Sequence, residues 1–290
     1  MNPPSLGAMD SERIVTGATR PPRSHLSDLW RAPLHDFPIR NEIVYQYLPL
    51  TPGMSLLEIG PGDGFAAFRL TRMVRRMVSV DIAAGNVASL KQALRGATNL
   101  SFICADVARP GFAQVVGGQF DAAFALEVLE YVLDPLTCFK NLADVLRPGG
   151  RLLIEWPNYP PGVTGGSTYF AARSQVDGLL RAAGFASWDL YALRLRPWAS
   201  CVWRHFHERP LRLLRRLRRK GTGGLAQHEQ RGYDQTWAFQ SQQRLQRSKL
   251  VVHLAWALLA WSLGLGGDCF ERIPLTGDGL DGNLLLLARR

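Results

Sequence analysis

Cysteine is scarce in this chain. Its 290 residues hold four, Cys104, Cys138, Cys201 and Cys269, far apart and without a C-x-x-C pair, which excludes a zinc ribbon and a disulfide scaffold and fits a reducing cytoplasm. The start lacks an apolar run of signal-peptide length: Met1 to Arg23 carries four prolines and mixed charges. Secretion is therefore not expected, and residues 1–39 read as an arm and lead-in. Acidic residues are outnumbered, 24 against 34, and the formal net charge of +10 calls for an anionic partner such as nucleic acid or an acidic membrane surface. Apolar residues are not lacking. At 47% hydrophobic and 20% charged, the chain can bury a full core as one large domain or two small ones, which excludes disorder and coiled coil.

The middle of the chain alternates strands with helices. Met54 to Ile59 is an apolar run ending at glycines, and Phe65 to Val74 spaces Phe65, Phe68, Leu70 and Met73 as a helix buries one face. Met77 to Asp81 and Leu100 to Cys104 are further strands, with a helix over Ala84 to Leu94 between them. Phe120 to Leu126 and Arg151 to Trp156 follow, separated by a helix from Pro135 to Leu146 that stops at Arg147-Pro148-Gly149-Gly150. A helix from Ser174 to Ala183, ended by Gly184, leads to a sixth strand over Phe185 to Leu193. Repeated units of this kind predict a doubly wound parallel α/β sheet with helices on both faces.

Such sheets bind ligands at the carboxyl ends of their strands. Gly60-Pro61-Gly62-Asp63-Gly64 follows the first strand, where glycines let a ligand approach the backbone at a helix N-terminus. Asp81 ends the second strand 21 residues after Gly60, near the spacing at which an acid accepts from ribose hydroxyls. Asp106 follows the third strand and suits an exocyclic adenine amine. Each has a plain structural reading as turn or cap, but together they describe a nucleoside site. A dinucleotide fingerprint would need its third glycine where Phe65 stands, and Glu58 enters the turn with no lysine or arginine near it. The loop is better suited to a zwitterionic, cationic ligand than to two phosphates.

With these motifs the sequence resembles the class I S-adenosylmethionine-dependent methyltransferases, in the Rossmann-like small-molecule group, over about Arg40 to Leu193 and again in the last ten residues. The resemblance implies an enzyme with S-adenosylmethionine as methyl donor. In Leu56 to Gly64 it implies that Glu58, Gly60, Pro61, Gly62 and Gly64 surround the methionine part. Asp81 with Ile82 would meet the ribose, and Asp106 with Val107 the adenine. Phe120 to Val132 is similar to the family's fourth motif, placing Leu126 and Glu127 beside the methyl group. Many relatives carry histidine after a pair of glutamates here, a cluster associated in quinone-type O-methyltransferases with a divalent metal. This chain has Glu127, Glu130 and then Tyr131. Tyrosine is a poor ligand for a hard cation, so no metal is expected.

Methyl transfer mainly requires a nucleophile held in line with carbon and sulfur, and a base only if that nucleophile is a hydroxyl. None of His25, His35, His205, His207, His228 and His253 lies within the core motifs, so the catalytic base is unassigned. His35 and Arg40 precede the first strand, in a segment that the family often folds over its donor.

Asn283 to Ala288 resembles the fold's seventh, antiparallel strand, which makes residues 194–282 a long, mostly helical insert that would set substrate preference. From Arg194 to Lys220 ten basic residues stand against Glu208, 10 minus 1 or +9. Leu211 to Lys220 reads as a basic amphipathic helix, and Leu250 to Gly267 is 18 residues without a formal charge. A return of the chain to the same sheet excludes one membrane crossing. Residues 211–220 and 250–267 are therefore expected to touch an anionic membrane from the cytoplasmic side, with a small-molecule or lipid-linked acceptor whose attacking atom is a hydroxyl oxygen. An RNA methyltransferase and a non-catalytic donor-binding scaffold are the alternatives. Nucleic acid is disfavoured because the place of an Asn/Asp-Pro-Pro-aromatic turn reads Leu126-Glu127-Val128-Leu129, and Pro157-Asn158-Tyr159-Pro160-Pro161 has the wrong order.

Overall fold

A computed structural model describes residues 40, 42–62, 64–160, 166–203 and 268–290. Its elements run α1 (Glu42–Tyr47), β1 (Ser55–Ile59), α2 (Phe65–Leu70), β2 (Arg76–Asp81), α3 (Ala84–Ala93), β3 (Leu100–Cys104), α4 (Phe112–Val116) and β4 (Phe120–Leu126). A single 3-10 turn, Leu129–Tyr131, precedes α5 (Pro135–Val145), β5 (Leu146–Asn158), α6 (Arg173–Ala183), β6 (Ser187–Leu195), α7 (Pro197–Trp203), β7 (Phe270–Pro274) and β8 (Gly282–Arg289). The chain divides into two compact units, one including His35–Arg194 and Phe270–Arg290, the other including Leu195–Cys269.

One sheet organises the first unit, in the order β3-β2-β1-β4-β5-β8-β6-β7. β1 pairs parallel with both β2 and β4, β2 with β3, and β4 with β5, whereas β8 lies antiparallel between β5 and β6. The order reverses direction at β1 and β4, so the crevice of this sheet opens at their carboxyl ends. The central strands are mostly apolar, as strands covered on both faces must be: Leu56, Leu57, Ala123, Phe124, Leu153 and Ile154 are all buried, and Glu58 and Glu155 are buried acids among them.

Two expectations need correction. The sequence predicts seven strands, and the sheet has eight: Phe270–Pro274, inside the stretch 194–282 read as insert, adds an edge strand beside β6. The Gln46 side chain closes this edge, donating to Phe270 O at 2.6 Å and accepting from Phe270 N at 3.2 Å, as a strand neighbour would. The helix ends at Val145, one residue before the expected stop, but the strand expected from Arg151 already starts at Leu146, so Arg147 to Gly150 belongs to β5. The strand passes a register shift between Phe120 and Ala122 of its neighbour, with Gly149 at a φ of 75°. The six histidines, Asp63, the arm 1–39 and the segments 211–220 and 250–267 lie outside the described residues.

Candidate functional site

The turn between β1 and α2 is set by local geometry. Gly60 has a φ of 69° and Gly64 one of 81°, a region that side chains rarely adopt. A Cβ on Gly60 would run into Val128 Cγ2, far inside van der Waals contact. Val128 follows β4, so this close approach seats the two strand ends of the crevice against each other. Beneath the turn, Glu58 is buried at 2% exposure and accepts from Ser79 Oγ at 2.6 Å, tying β1 to β2. Burial pushes its pKa up to about 7, with the Ser79 hydrogen bond opposing and the charge of Asp81 adding to the rise. Glu58 therefore supports the turn from the interior, whereas the sequence reading counts it among direct donor contacts.

Asp81 is pre-aligned by its neighbours. Ala83 N donates to its Oδ1 at 2.9 Å and Asn86 Nδ2 to its Oδ2 at 2.7 Å, and the same Asn86 nitrogen reaches Gly62 O at 2.8 Å. Each carboxylate oxygen carries a second lone pair, so both keep an acceptor position for a hydroxyl. Ile82, next to it, is 70% exposed, an apolar face with no protein cover. Asp106 is turned partly inward: Ala108 N donates to Oδ1 at 2.9 Å, and Arg109 lies 3.4 Å from Oδ2. Val107 is buried, and its carbonyl is anchored by Asn141 Nδ2 at 2.8 Å.

At the end of β4, Glu127 is the one non-glycine residue among those described with a positive φ, 54°. Strained backbone of this sort persists where its surroundings hold it. Here Glu127 N donates to Glu155 O at 2.9 Å, and the Glu127 carboxylate pairs closely with Arg40. The same guanidinium nitrogen lies 3.4 Å from Glu155 Oε2, on a side chain that is 1% exposed. Burial raises the Glu155 pKa to about 7, Arg40 opposing and Glu127 adding to the rise. Glu130 is buried at 2% exposure and its Oε2 has no hydrogen-bond partner. Burial raises its pKa to about 8, its own backbone amide opposing and the charges of Glu127 and Glu155 adding. Among the described residues, no group of three or more His, Cys, Asp or Glu side chains could hold a metal ion.

The structure thus brings Gly60, Gly62, Gly64, Asp81, Ile82, Leu126 and Glu127 to the carboxyl edge of the sheet, with Asp106 and Val107 beyond β3. Sequence reasoning missed Asn86 and Glu155. A lone acid inside the apolar strand Leu152 to Trp156 was a usable signal for Glu155; an asparagine in a first helical turn carried none for Asn86.

Residues 57–154 match the family model described as a methyltransferase domain. The ubiquinone biosynthesis O-methyltransferase of Xanthomonas campestris pv. campestris is 26% identical over 188 residues, covering 58% of this chain and 77% of that protein. The enzyme of the same name from Nitrosococcus oceani is 30% identical over 132 residues, covering 44% of this chain and 54% of that protein. Among solved structures, phosphoethanolamine N-methyltransferase 2 of Haemonchus contortus, in complex with phosphomonomethylethanolamine and S-adenosylhomocysteine, has a TM-score of 0.52 at 14% identity. That likeness covers 87% of this chain but only 52% of the other, and it concerns the fold alone. The match runs from β1 into β5 on a sheet of this strand order, so this part of the chain is a methyltransferase domain with the class I methyltransferase fold.

Proposed function

We propose that the chain moves a methyl group from S-adenosylmethionine to a hydroxyl oxygen of a small-molecule or lipid-linked acceptor. The observation that carries the donor site is Asp81: an aligned carboxylate with one acceptor position left on each oxygen, beside the glycine turn and the exposed Ile82. Asp81 and Ile82 fit the donor's ribose and the glycine turn its methionine part, with Asp106 and Val107 left for the adenine. When bound, the donor supplies an electrophilic methyl carbon. The protein's own contribution is orientation, which holds reactants at near-attack distance and removes much of the entropic barrier. Hydroxyl attack is supported by the names of the curated relatives, which are O-methyltransferases.

Asp81→Ala tests the donor site. A charge-assisted hydrogen bond is worth about 1.5 to 3 kcal/mol, so calorimetric affinity for S-adenosylhomocysteine should fall at least about tenfold. Unchanged affinity would place the nucleoside elsewhere.

The lipid-linked reading rests on the sequence of residues 211–220 and 250–267 and on a net charge concentrated before Lys220. Because the chain returns to the same sheet at β8 after this stretch, a single crossing does not fit, and contact at the surface is the proposed mode. In flotation, the protein should rise with acidic liposomes and less with neutral ones, and added salt should release it. Changing Arg212, Arg215, Arg216 and Arg219 to glutamine should abolish flotation without altering donor affinity. Tight binding to RNA with no flotation on either kind of vesicle would assign the arginines to nucleic acid instead.

A further inference from the structure

Glu127 and Glu155 meet one guanidinium at the carboxyl ends of β4 and β5, and Glu130 stands in the 3-10 turn that follows Glu127. Glu127 and Glu155 share Arg40, and Glu130 stands within the field of all three. Ser167 N and Thr168 N donate to the Glu130 carbonyl at 2.8 and 2.9 Å, and Gly166 packs on its side chain, and none of these three residues brings a charge. Among the described residues, Arg40 is the cation that acts on these three acids, and Glu130 has a buried oxygen with no donor. Groups so placed do not all ionise together; they share a proton as one coupled unit. Val128 lies between Glu127 and Glu130 and rests on Gly60, so this unit adjoins the glycine turn.

We propose that the cluster is the proton sink of methyl transfer, ionised while the sulfonium donor is bound and protonated, at Glu130, once the methyl group has left. The proposal rests on the donor site described above and assigns a base that the sequence left open. The balance closes. The acceptor's O–H bond breaks and its oxygen forms the O–CH3 bond, while the C–S bond breaks and its electron pair stays on sulfur. The proton enters at Glu127, whose side chain is 45% exposed, and settles on the Glu130 carboxylate. The sulfonium's positive charge and the carboxylate's negative charge disappear in the same step, which is why the two are coupled.

Coupling can be read without knowing the acceptor. The full-length protein is titrated calorimetrically with S-adenosylmethionine and with S-adenosylhomocysteine, which differ by one methyl group and one charge, in buffers of different ionisation enthalpy at pH 7. Binding of the sulfonium should release at least about 0.3 proton more than binding of the thioether. The ratio of the two affinities should also rise in favour of the sulfonium as pH increases from 6 to 8. Glu130→Gln, isosteric and without a titrating proton, should remove most of the difference. Equal proton counts in the wild-type protein overturn the proposal, as does a difference that persists in Glu130→Gln. Should that variant fail to fold, the wild-type affinity ratio against pH decides alone, a flat ratio being the negative result. Failure of both ligands to bind would instead sink the donor site itself.

Discussion

Arg40→Ala should destabilise the protein by about 3 to 5 kcal/mol at pH 8, because it leaves the buried Glu155 carboxylate without its counter-charge. The guanidinium is itself largely buried, at 13% side-chain exposure, so little of the effect is lost to solvent screening. At pH 5 the loss should be smaller. In the fold, burial holds the pKa of Glu155 at about 7, of Glu58 at about 7 and of Glu130 at about 8, against about 4.3 for an unfolded glutamate. A carboxyl group whose pKa is raised by folding binds its proton more tightly in the folded state. Its stabilising contribution is complete below the unfolded pKa and disappears as pH rises through the folded one. The wild type should therefore melt lower at pH 8 than at pH 5, and Arg40→Ala should steepen that slope by taking away the cation that, among the described residues, opposes it. Urea unfolding at the two pH values measures both effects. A variant equally destabilised at pH 5 and pH 8 would show that Arg40 acts through packing, not charge.

Gly60→Ala should be the most damaging substitution in the glycine turn. It places an L side chain at a φ of 69° and drives its Cβ into Val128. Strained backbone costs about 1 to 3 kcal/mol and overpacking about as much again, so a loss of about 2 to 5 kcal/mol is expected. Whatever relief the fold finds must move Val128 or the turn, and either displaces Glu127 and Glu130 from the crevice. Donor affinity should fall with stability. Gly64→Ala gives the comparison: its Cβ would lie 2.6 Å from Leu90 Cδ2, the far end of a flexible side chain that can turn away. Melting curves and calorimetry on the pair should show Gly60→Ala losing clearly more of both. Equal losses would mean that Val128 yields easily and that the contact does not hold the site together.

The sequence by itself determined most of the sheet. β3 and β4 have the bounds that the apolar runs predict, and α3 and α5 differ from prediction by a residue at one end. These elements are legible because each depends on a local pattern: apolar periodicity, a glycine turn, a helix stop at Gly184. Asp81 and the glycines of the turn were legible for the same reason, since a strand end fixes where a ligand is met. What the sequence could not show depends on residues far apart in the chain. Arg40 and Glu155 are 115 residues apart and meet only because β4 and β5 are neighbours. No periodicity marks an acid inside an apolar strand as the partner of a residue before the first one. Phe270–Pro274 was hidden by the same limit: an edge strand needs a neighbour at β6 and a cap from Gln46, and neither lies near it in sequence. Tertiary structure alone decided that Glu130 would be buried with one oxygen lacking a donor, because Gly166, Ser167 and Thr168 fold onto it from far along the chain. Local patterns mark the proposed donor site; long-range packing builds the carboxylate cluster beside it.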